Sequence, residues 1–305
     1  VFDPEGLFLK GKETYNAVRQ KPGFESWTPQ GTACITDWVN EVGALPTKNF
    51  KTSHVDYAAN INGEAILREL KITDKGCFSC PTPCGKYGYA KTKYGNAYVE
   101  GPEYETIALL GSNCDINNIH EIAYANYVCD ELGIDTCSGG VVVSFALECY
   151  DKGLISKEDM GMDVKFGDLA SVLHILNLIT RREKIGNVLA DGVRDAAKAI
   201  GNDSSKFAIH VKGLEWTGYE TRNAPGMMLG YMTADIGAHH GKCWVLGNDV
   251  AGSADIGAVT DVISEQQIAS AMPKAKHENV VPIVIKSQNI RPAFDMLGTC
   301  RFQYM

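Results

Sequence analysis

The apolar positions along the chain recur mostly at three and four residues, the spacing that puts them on one face of an α-helix. A modest helical piece covers Gly11 to Arg19, and helical spacing returns from Thr36 to Val42 and from Ala58 to Leu70. Between the last two, Gly43-Ala-Leu-Pro-Thr-Lys-Asn49 carries the glycine and proline of an irregular loop. A short alternating stretch from Lys86 to Tyr98, turning at Tyr94-Gly-Asn96, predicts two strands. Asn118 then caps a helix through Ile119, Ile122, Ala123 and Tyr127 that Gly133 ends. A second helix begins at Ser138 and runs to about Tyr150, Asp168 caps a third through Leu169, Leu173, Leu176 and Ile179, and a fourth spans Asn187 to Ile200. After Gly201 the pattern changes: Lys206 to Val211 alternates as a short strand, Gly213 to Arg222 is loop, and Gly226-Met-Met-Leu-Gly230 opens helix again. Gly237-Ala-His-His-Gly241 interrupts it, and helices over roughly Asp255 to Ala271 and Val280 to Asn289 follow, with Pro282 placed in the first turn of the last. The reading is mainly α with short β excursions. It divides into one helical domain over 1–205 and a second, incomplete helical domain over 206–305.

Charge and apolar content narrow the function classes. With 45% hydrophobic and 22% charged residues the composition is globular. The formal charge of −8 and the lack of a Lys/Arg-rich run argue against a nucleic-acid partner, which needs a basic face. No apolar run reaches the length of a membrane span. The first residues, Val1-Phe-Asp-Pro-Glu5, carry neither an initiator methionine nor a basic and apolar leader, and the sequence ends abruptly at Met305, so a fragment is expected.

Ten cysteines could suggest a disulfide framework, yet three crowd into Cys77-Phe-Ser-Cys80-Pro-Thr-Pro-Cys84-Gly85. Two prolines and a glycine bend that stretch around a common point, so three sulfurs can share one metal centre in a reducing, cytoplasmic compartment. Iron–sulfur ligation with one remote fourth ligand fits; zinc would have to recruit a lone distant ligand, because no second C-x-x-C exists. Most of the single cysteines, such as Cys34, Cys114 and Cys149, read as small buried hydrophobes. A short repeat adds a second signal. Asp130-Glu-Leu-Gly133-Ile-Asp135 and Asp295-Met-Leu-Gly298-Thr-Cys300 each place a carboxylate in a last helical turn and a glycine just past it, on one side of a tight loop. Lys75, Lys86, Lys91 and Lys93 cluster around the cysteines and predict a basic dock for an acidic electron acceptor.

Together Cys77-x-x-Cys80-x-x-x-Cys84, Gly101-Pro-Glu-Tyr-Glu-Thr106, the two Asp-x-Leu-Gly loops, Asn40-Glu-Val-Gly-Ala-Leu-Pro-Thr47 and Gly213-Leu-Glu-Trp216 resemble the tungsten-dependent aldehyde:ferredoxin oxidoreductase family, nearly throughout the chain and in order. The resemblance implies two helical domains like that family's second and third, with the β-rich first domain absent from a chain about half as long. It implies a tungsten (or molybdenum) bis-pterin and a [4Fe–4S] cluster. Cys77, Cys80, Cys84 and Cys300 would hold the cluster. Asp130, Gly133, Asp135 and Thr136 would contact one pterin, and Asp295, Gly298 and Thr299 the other, the two Asp130 and Asp295 carboxylates accepting from the pterin amino groups. Glu105 and His240 match positions that face the metal. The implied activity is oxidation of an aldehyde to a carboxylic acid, with electrons leaving to ferredoxin or an iron–sulfur electron-transfer subunit, in a protein that can be a homo-oligomer. Alternatives are a low-potential reductase subunit of the same superfamily and a non-catalytic, zinc-stabilised helical protein.

Overall fold

The computed structural model describes residues 2–20, 24–249 and 277–303. Its centre is a set of three capped helices. Asn118 accepts hydrogen bonds from the His120 and Glu121 amides and opens a helix over Ile119–Leu132, which ends at Gly133 with φ +69°. Asp135 accepts from the Ser138 amide at 2.7 Å and opens the next, Thr136–Asp151, two residues earlier than the sequence predicted. Asp168 does the same for Leu169–Arg181 through the Ser171 amide. Each cap satisfies amides that the first helical turn leaves unpaired. The inward faces, among them Ile122, Val143, Phe145, Ile175 and Leu176, are fully buried. Gly140 lets the second of these helices meet residue 109: a Cβ there would sit 2.6 Å from the Leu109 carbonyl carbon.

Other elements follow with differences. The first helix, α1, spans Pro4–Arg19 and not Gly11 to Arg19, because Asp3 caps it and Pro4 supplies its first turn. Short helices α2 (Phe24–Gln30) and α3 (Thr36–Glu41) lead inward. The stretch Ala58–Leu70 is not one helix. A single turn at Ala58–Asn60 stops, Asn62 caps a new start at Gly63–Ala65, and the chain widens into a π-helical turn over Ile66–Leu70. Three strands, not two, follow: β1 (Lys71–Lys75), β2 (Gly85–Thr92) and β3 (Gly95–Glu100), antiparallel in that order. The three central helices are α4, α5 and α6 in chain order. The predicted helix Asn187–Ile200 breaks at Gly192 (φ +83°), leaving Gly186–Leu189 and α7 (Val193–Ile200). Glu215 closes the start of α7 by accepting the Val193 amide.

Of the predicted strand Lys206–Val211, only β4 (His210–Val211) pairs, with β5 (Leu214–Glu215). Lys212 and Gly213 between them both have positive φ, as a two-residue hairpin turn requires. Then come α8 (Pro225–Thr233) and the long α9 (His277–Leu297), in which Pro282 lies beyond the first turn. The expected helix over Asp255 to Ala271 lies outside the described residues. One hydrophobic cluster runs from Ala33 through α4 to α6 to Val284 on α9, across the division expected near residue 205.

Candidate active site and cysteine loop

The cysteine loop joins β1 to β2. Its backbone turns tightly: the Cys80 amide donates to the Cys77 carbonyl, Ser79 is left-handed at φ +56°, and the Cys84 amide donates to the Thr82 carbonyl. Lys86, the second residue of β2, is 2% exposed. Its Nζ donates to the carbonyls of Pro83 (2.8 Å), Gly85 (3.0 Å) and Cys84 (3.2 Å) and lies 3.2 Å from Asp74 on β1. The lysine is therefore an internal strut for the loop and not part of a surface dock. Lys75 is paired with Glu100, and Lys91 and Lys93 lie over the rings of Tyr89 and Tyr94. Of the four lysines expected to form a basic dock, Lys86 is thus withdrawn into the loop, while Lys75, Lys91 and Lys93 stay exposed.

Cys77 is exposed, while Cys80 and Cys84 are half-buried. Burial, then Glu103, Cys300 and Cys80, push the Cys84 thiol up to about 11. Cys80 and Cys300 are thus brought to Cys84 from the loop and from the far end of the chain. Among the described residues no three His, Cys, Asp or Glu side chains form a group for a single metal ion.

Cys84 and Cys300 line a cavity of about 520 Å³, within the range of small-molecule and cofactor sites. Its wall also takes Trp27 from α2, Glu103 and Glu105, Tyr219, His240 and Trp244, then Arg291, Asp295 and Thr299 to Phe302. Glu105 Oε2 accepts the Gly218 amide at 2.5 Å, and a Cβ at Gly218 would stand 2.7 Å from the Ala108 Cβ and 2.8 Å from that oxygen, which favours glycine there. His240 Nδ1 lies 3.2 Å from Glu105 Oε1. The approach is misaligned, so neither atom has a hydrogen-bond partner. Nor is it an ion pair: burial pushes Glu105 up to about 8, and burial with the neighbouring His239, Arg291 and Arg301 pushes His240 down to about 3. Both are mainly neutral at pH 7. Trp27 Nε1 and Arg301 Nε are likewise buried without partners. Four orphaned polar atoms on residues of one wall are what a polar ligand would satisfy.

The two Asp-x-Leu-Gly loops share one backbone design. The Gly133 and Ile134 amides donate to the Asp130 and Cys129 carbonyls; the Gly298 and Thr299 amides donate to those of Asp295 and Phe294. Each glycine is left-handed. Their side chains diverge. Asp295 pairs with Arg301 at 2.7 Å and lines the cavity with Thr299 and Cys300. Asp130 is exposed and accepts from Asn126, and Asp135 is spent on its helix cap. Thr136 bonds Thr106 at 2.9 Å, next to Glu105, and the Asp135 charge acts on Glu105 and His239. The cavity thus gathers Cys84, Glu105, His240, Asp295, Thr299 and Cys300. Cys77, Cys80, Asp130, Gly133, Asp135, Thr136 and Gly298 stand outside its lining. Trp27, Tyr219, Trp244 and Arg291 also line it with no signal in their local sequence; Glu103 lies within the Gly101–Thr106 motif and Arg301 follows Cys300.

The family model described as aldehyde ferredoxin oxidoreductase, domains 2 and 3, matches residues 10–304. The chain belongs to that family. It is 34% identical over 255 residues to the tungsten-containing aldehyde ferredoxin oxidoreductase of Pyrococcus furiosus, covering 83% of this chain and 41% of the relative. It is 30% identical over 305 residues to that of Thermococcus kodakarensis, covering 99% and 47%. Against the aliphatic sulfonate oxidoreductase, WOR-like subunit, of Pyrococcus furiosus it is 37% identical over 224 residues, 70% of this chain and 35% of the relative. The chain spans less than half the length of these curated relatives. The active-site complex BamBC of benzoyl coenzyme A reductase, solved with 1,5-dienoyl-CoA, superposes with a TM-score of 0.67 at 17% identity, over 95% of this chain and 50% of that one, a likeness of fold. Mainly helical architecture with small sheets is the family's, and the chain is an oxidoreductase-family member related to tungsten enzymes. No single helix among the described residues is long and apolar enough to cross a membrane.

Proposed function

We propose that this chain is the helical part of an enzyme that oxidises an aldehyde to a carboxylic acid, passing two electrons one at a time to ferredoxin or a similar iron–sulfur acceptor. What supports the reading is the convergence on one cavity of Cys84 and Cys300, Glu105 and His240, with orphaned polar atoms around them. The donor set fits the implied groups: Cys77, Cys80, Cys84 and Cys300 would hold a [4Fe–4S] cluster, and the Asp130 and Asp295 loops would hold a tungsten (or molybdenum) bis-pterin. Those groups supply the two-electron oxidation and the one-electron exit path when bound. Division into units over 1–205 and 206–305, one per loop, belongs to the same proposal.

The protein's own part is binding, orientation and proton handling. Tyr219, Trp244 and Trp27 give the cavity aromatic walls that hold an apolar chain and limit water. His240, kept neutral, would donate a hydrogen bond to the aldehyde oxygen without competing for a proton. Glu105, which lines the cavity and is anchored through Oε2 on the Gly218 amide, keeps Oε1 without a hydrogen-bond partner beside His240 and would orient the attacking water and take its proton. A carboxylate lifted to about 8 is a stronger base than an ordinary one once ionised, and it is ionised in about a tenth of molecules at pH 7.

The test is elemental analysis, electron paramagnetic resonance and aldehyde oxidation on the anaerobically purified full-length protein, with Glu105→Gln and His240→Asn beside it. Tungsten and iron in all three, with turnover in the variants reduced on the order of 10² to 10⁴, is the expected outcome. Zinc alone in the native protein, or near-native turnover in both variants, overturns the proposal.

A further inference from the structure

The cysteine loop buries one hydroxyl that the protein leaves unsatisfied. Thr82 lies between Cys80 and Cys84 and is 5% exposed, and its Oγ1 has no hydrogen-bond partner among the described residues. Burying a hydroxyl in that state costs stability, and a valine would fill the same space without it. The oxygens around Thr82 already have donors. The Cys77 carbonyl accepts the Cys80 amide, the Thr82 carbonyl accepts the Cys84 amide, and Lys86 Nζ donates to the carbonyls of Pro83, Cys84 and Gly85. Glu103, the carboxylate whose charge acts on Cys84, is bonded by Thr32. What the loop holds in quantity is sulfur.

Thr82 is already folded against one of those sulfurs. Its amide donates to Cys80 Sγ at 3.4 Å, and Cys80 Sγ donates back to the Thr82 carbonyl at 3.3 Å. The second of these bonds belongs to the thiol alone. A cysteine ligates a metal as the thiolate, which has no proton to give and can only accept. Loading the site therefore turns Cys80 from a donor to Thr82 into an acceptor that needs donors. The Thr82 amide is in place for it, and the hydroxyl on the same residue is the donor that has no other use.

We propose that Thr82 is a positioning residue for the cysteine centre: its hydroxyl donates to the sulfur at Cys80 once the site is loaded, and so raises the reduction potential of the one-electron carrier held there. The inference rests on the iron–sulfur reading. The electron comes from oxidation of the aldehyde and leaves to the acceptor, with no bond made or broken at the cysteines. While it is held, the sulfurs carry more negative charge, so a hydrogen bond to one of them strengthens in the reduced form and favours that form.

The full-length holoenzyme is titrated against potential with the reduced-cluster resonance as the readout, in the wild type, Thr82→Val, Thr82→Ala and Thr82→Ser. Thr82→Val should keep its iron and shift the one-electron equilibrium toward the oxidised form roughly tenfold, a fall of about 59 mV in midpoint. Thr82→Ala should fall as far, which separates the lost donor from altered packing, and Thr82→Ser, with a hydroxyl restored, should stay near the wild type. A midpoint unchanged in both Thr82→Val and Thr82→Ala, or one that falls as far in Thr82→Ser, overturns the proposal. A second readout needs no redox signal, so it still tests the hydroxyl–sulfur bond if the centre proves to be zinc and the iron–sulfur reading fails. Thr82→Val should melt below the wild type with the metal bound and no lower than it once a chelator has removed the metal, because the hydroxyl gains its partner only on loading. A melting difference that is the same with and without metal would make the hydroxyl merely structural, and it too overturns the proposal.

Discussion

Replacing Glu105 by glutamine should alter how stability depends on pH between about 4.5 and 8, uncovering the opposite slope of His240 below 6.5 and removing the fall above it. Burial raises Glu105 from an ordinary 4.5 to about 8, so between those values the native protein holds a proton that the unfolded chain has released. Stability then falls as pH rises, by about 1.4 kcal/mol per unit for one proton. His240 acts in the opposite sense. Lowered from 6.5 to about 3, it stays neutral in the native protein while the unfolded chain binds a proton, so stability is lost as pH falls through that window. The two slopes cancel between 4.5 and 6.5, and the wild type should be flat there with respect to this pair. From pH 6.5 to 8 Glu105 acts alone and should cost about 2 kcal/mol over the 1.5 units. Glutamine keeps an oxygen for the Gly218 amide and cannot ionise. The assay is urea denaturation at half-unit steps from pH 4 to 8.5, taken as the difference between wild type and Glu105→Gln so that surface groups drop out. The variant should gain about 2 kcal/mol relative to wild type between pH 6.5 and 8. Parallel curves over that range would refute the burial argument.

Lys86→Met removes the donor from three carbonyls and from Asp74, and should cost about 3 kcal/mol and most of the bound iron, with Lys86→Arg retaining more; iron content and a melting curve decide, and native iron in Lys86→Met would show the strut to be dispensable. Cys300→Ala, at an exposed position, should leave the fold intact and weaken the reduced-cluster resonance, whereas Cys149→Ala, fully buried, should cost about 1 kcal/mol and leave the resonance unchanged. A resonance that survives Cys300→Ala and vanishes in Cys114→Ala or Cys243→Ala would move the fourth ligand elsewhere.

The central helices were legible because their ends are written locally. Asn118 and Asp168 sit at the predicted caps, and Gly133 stops the first helix in a left-handed residue that few others adopt cheaply. The elements that were missed lack such marks. Strand β1 reads Lys-Ile-Thr-Asp-Lys and is mostly exposed, so it shows no alternation; it forms because β2 offers an open edge. The break at Gly192 depends on Glu215, which arrives from another segment to close α7. The same division holds at the site. Cys84, Glu105 and Asp295 lie in motifs dense enough to be noticed, and Lys86, beside the cysteines, was noticed for the wrong reason because its burial is a tertiary fact. Trp27, Trp244 and Arg291 become neighbours only when α2, the 240s and α9 fold onto one cavity.

After Glu105 the chain passes directly into Ile107–Gly111, which is wound as a π-helical turn and fully buried. Such a turn holds one residue more than the α-helical turn it replaces. The segment therefore behaves as a counting frame with its ends fixed, by Gly218 on the Glu105 side and by the Ser112–Pro46 and Asn113–Ser144 bonds on the other. Losing one residue would let the turn tighten, and each residue of an α-helix turns about 100°. Glu105 would then point away from the cavity while every side chain of the motif remained in the sequence. Length, as strictly as composition, is what this part of the fold holds constant.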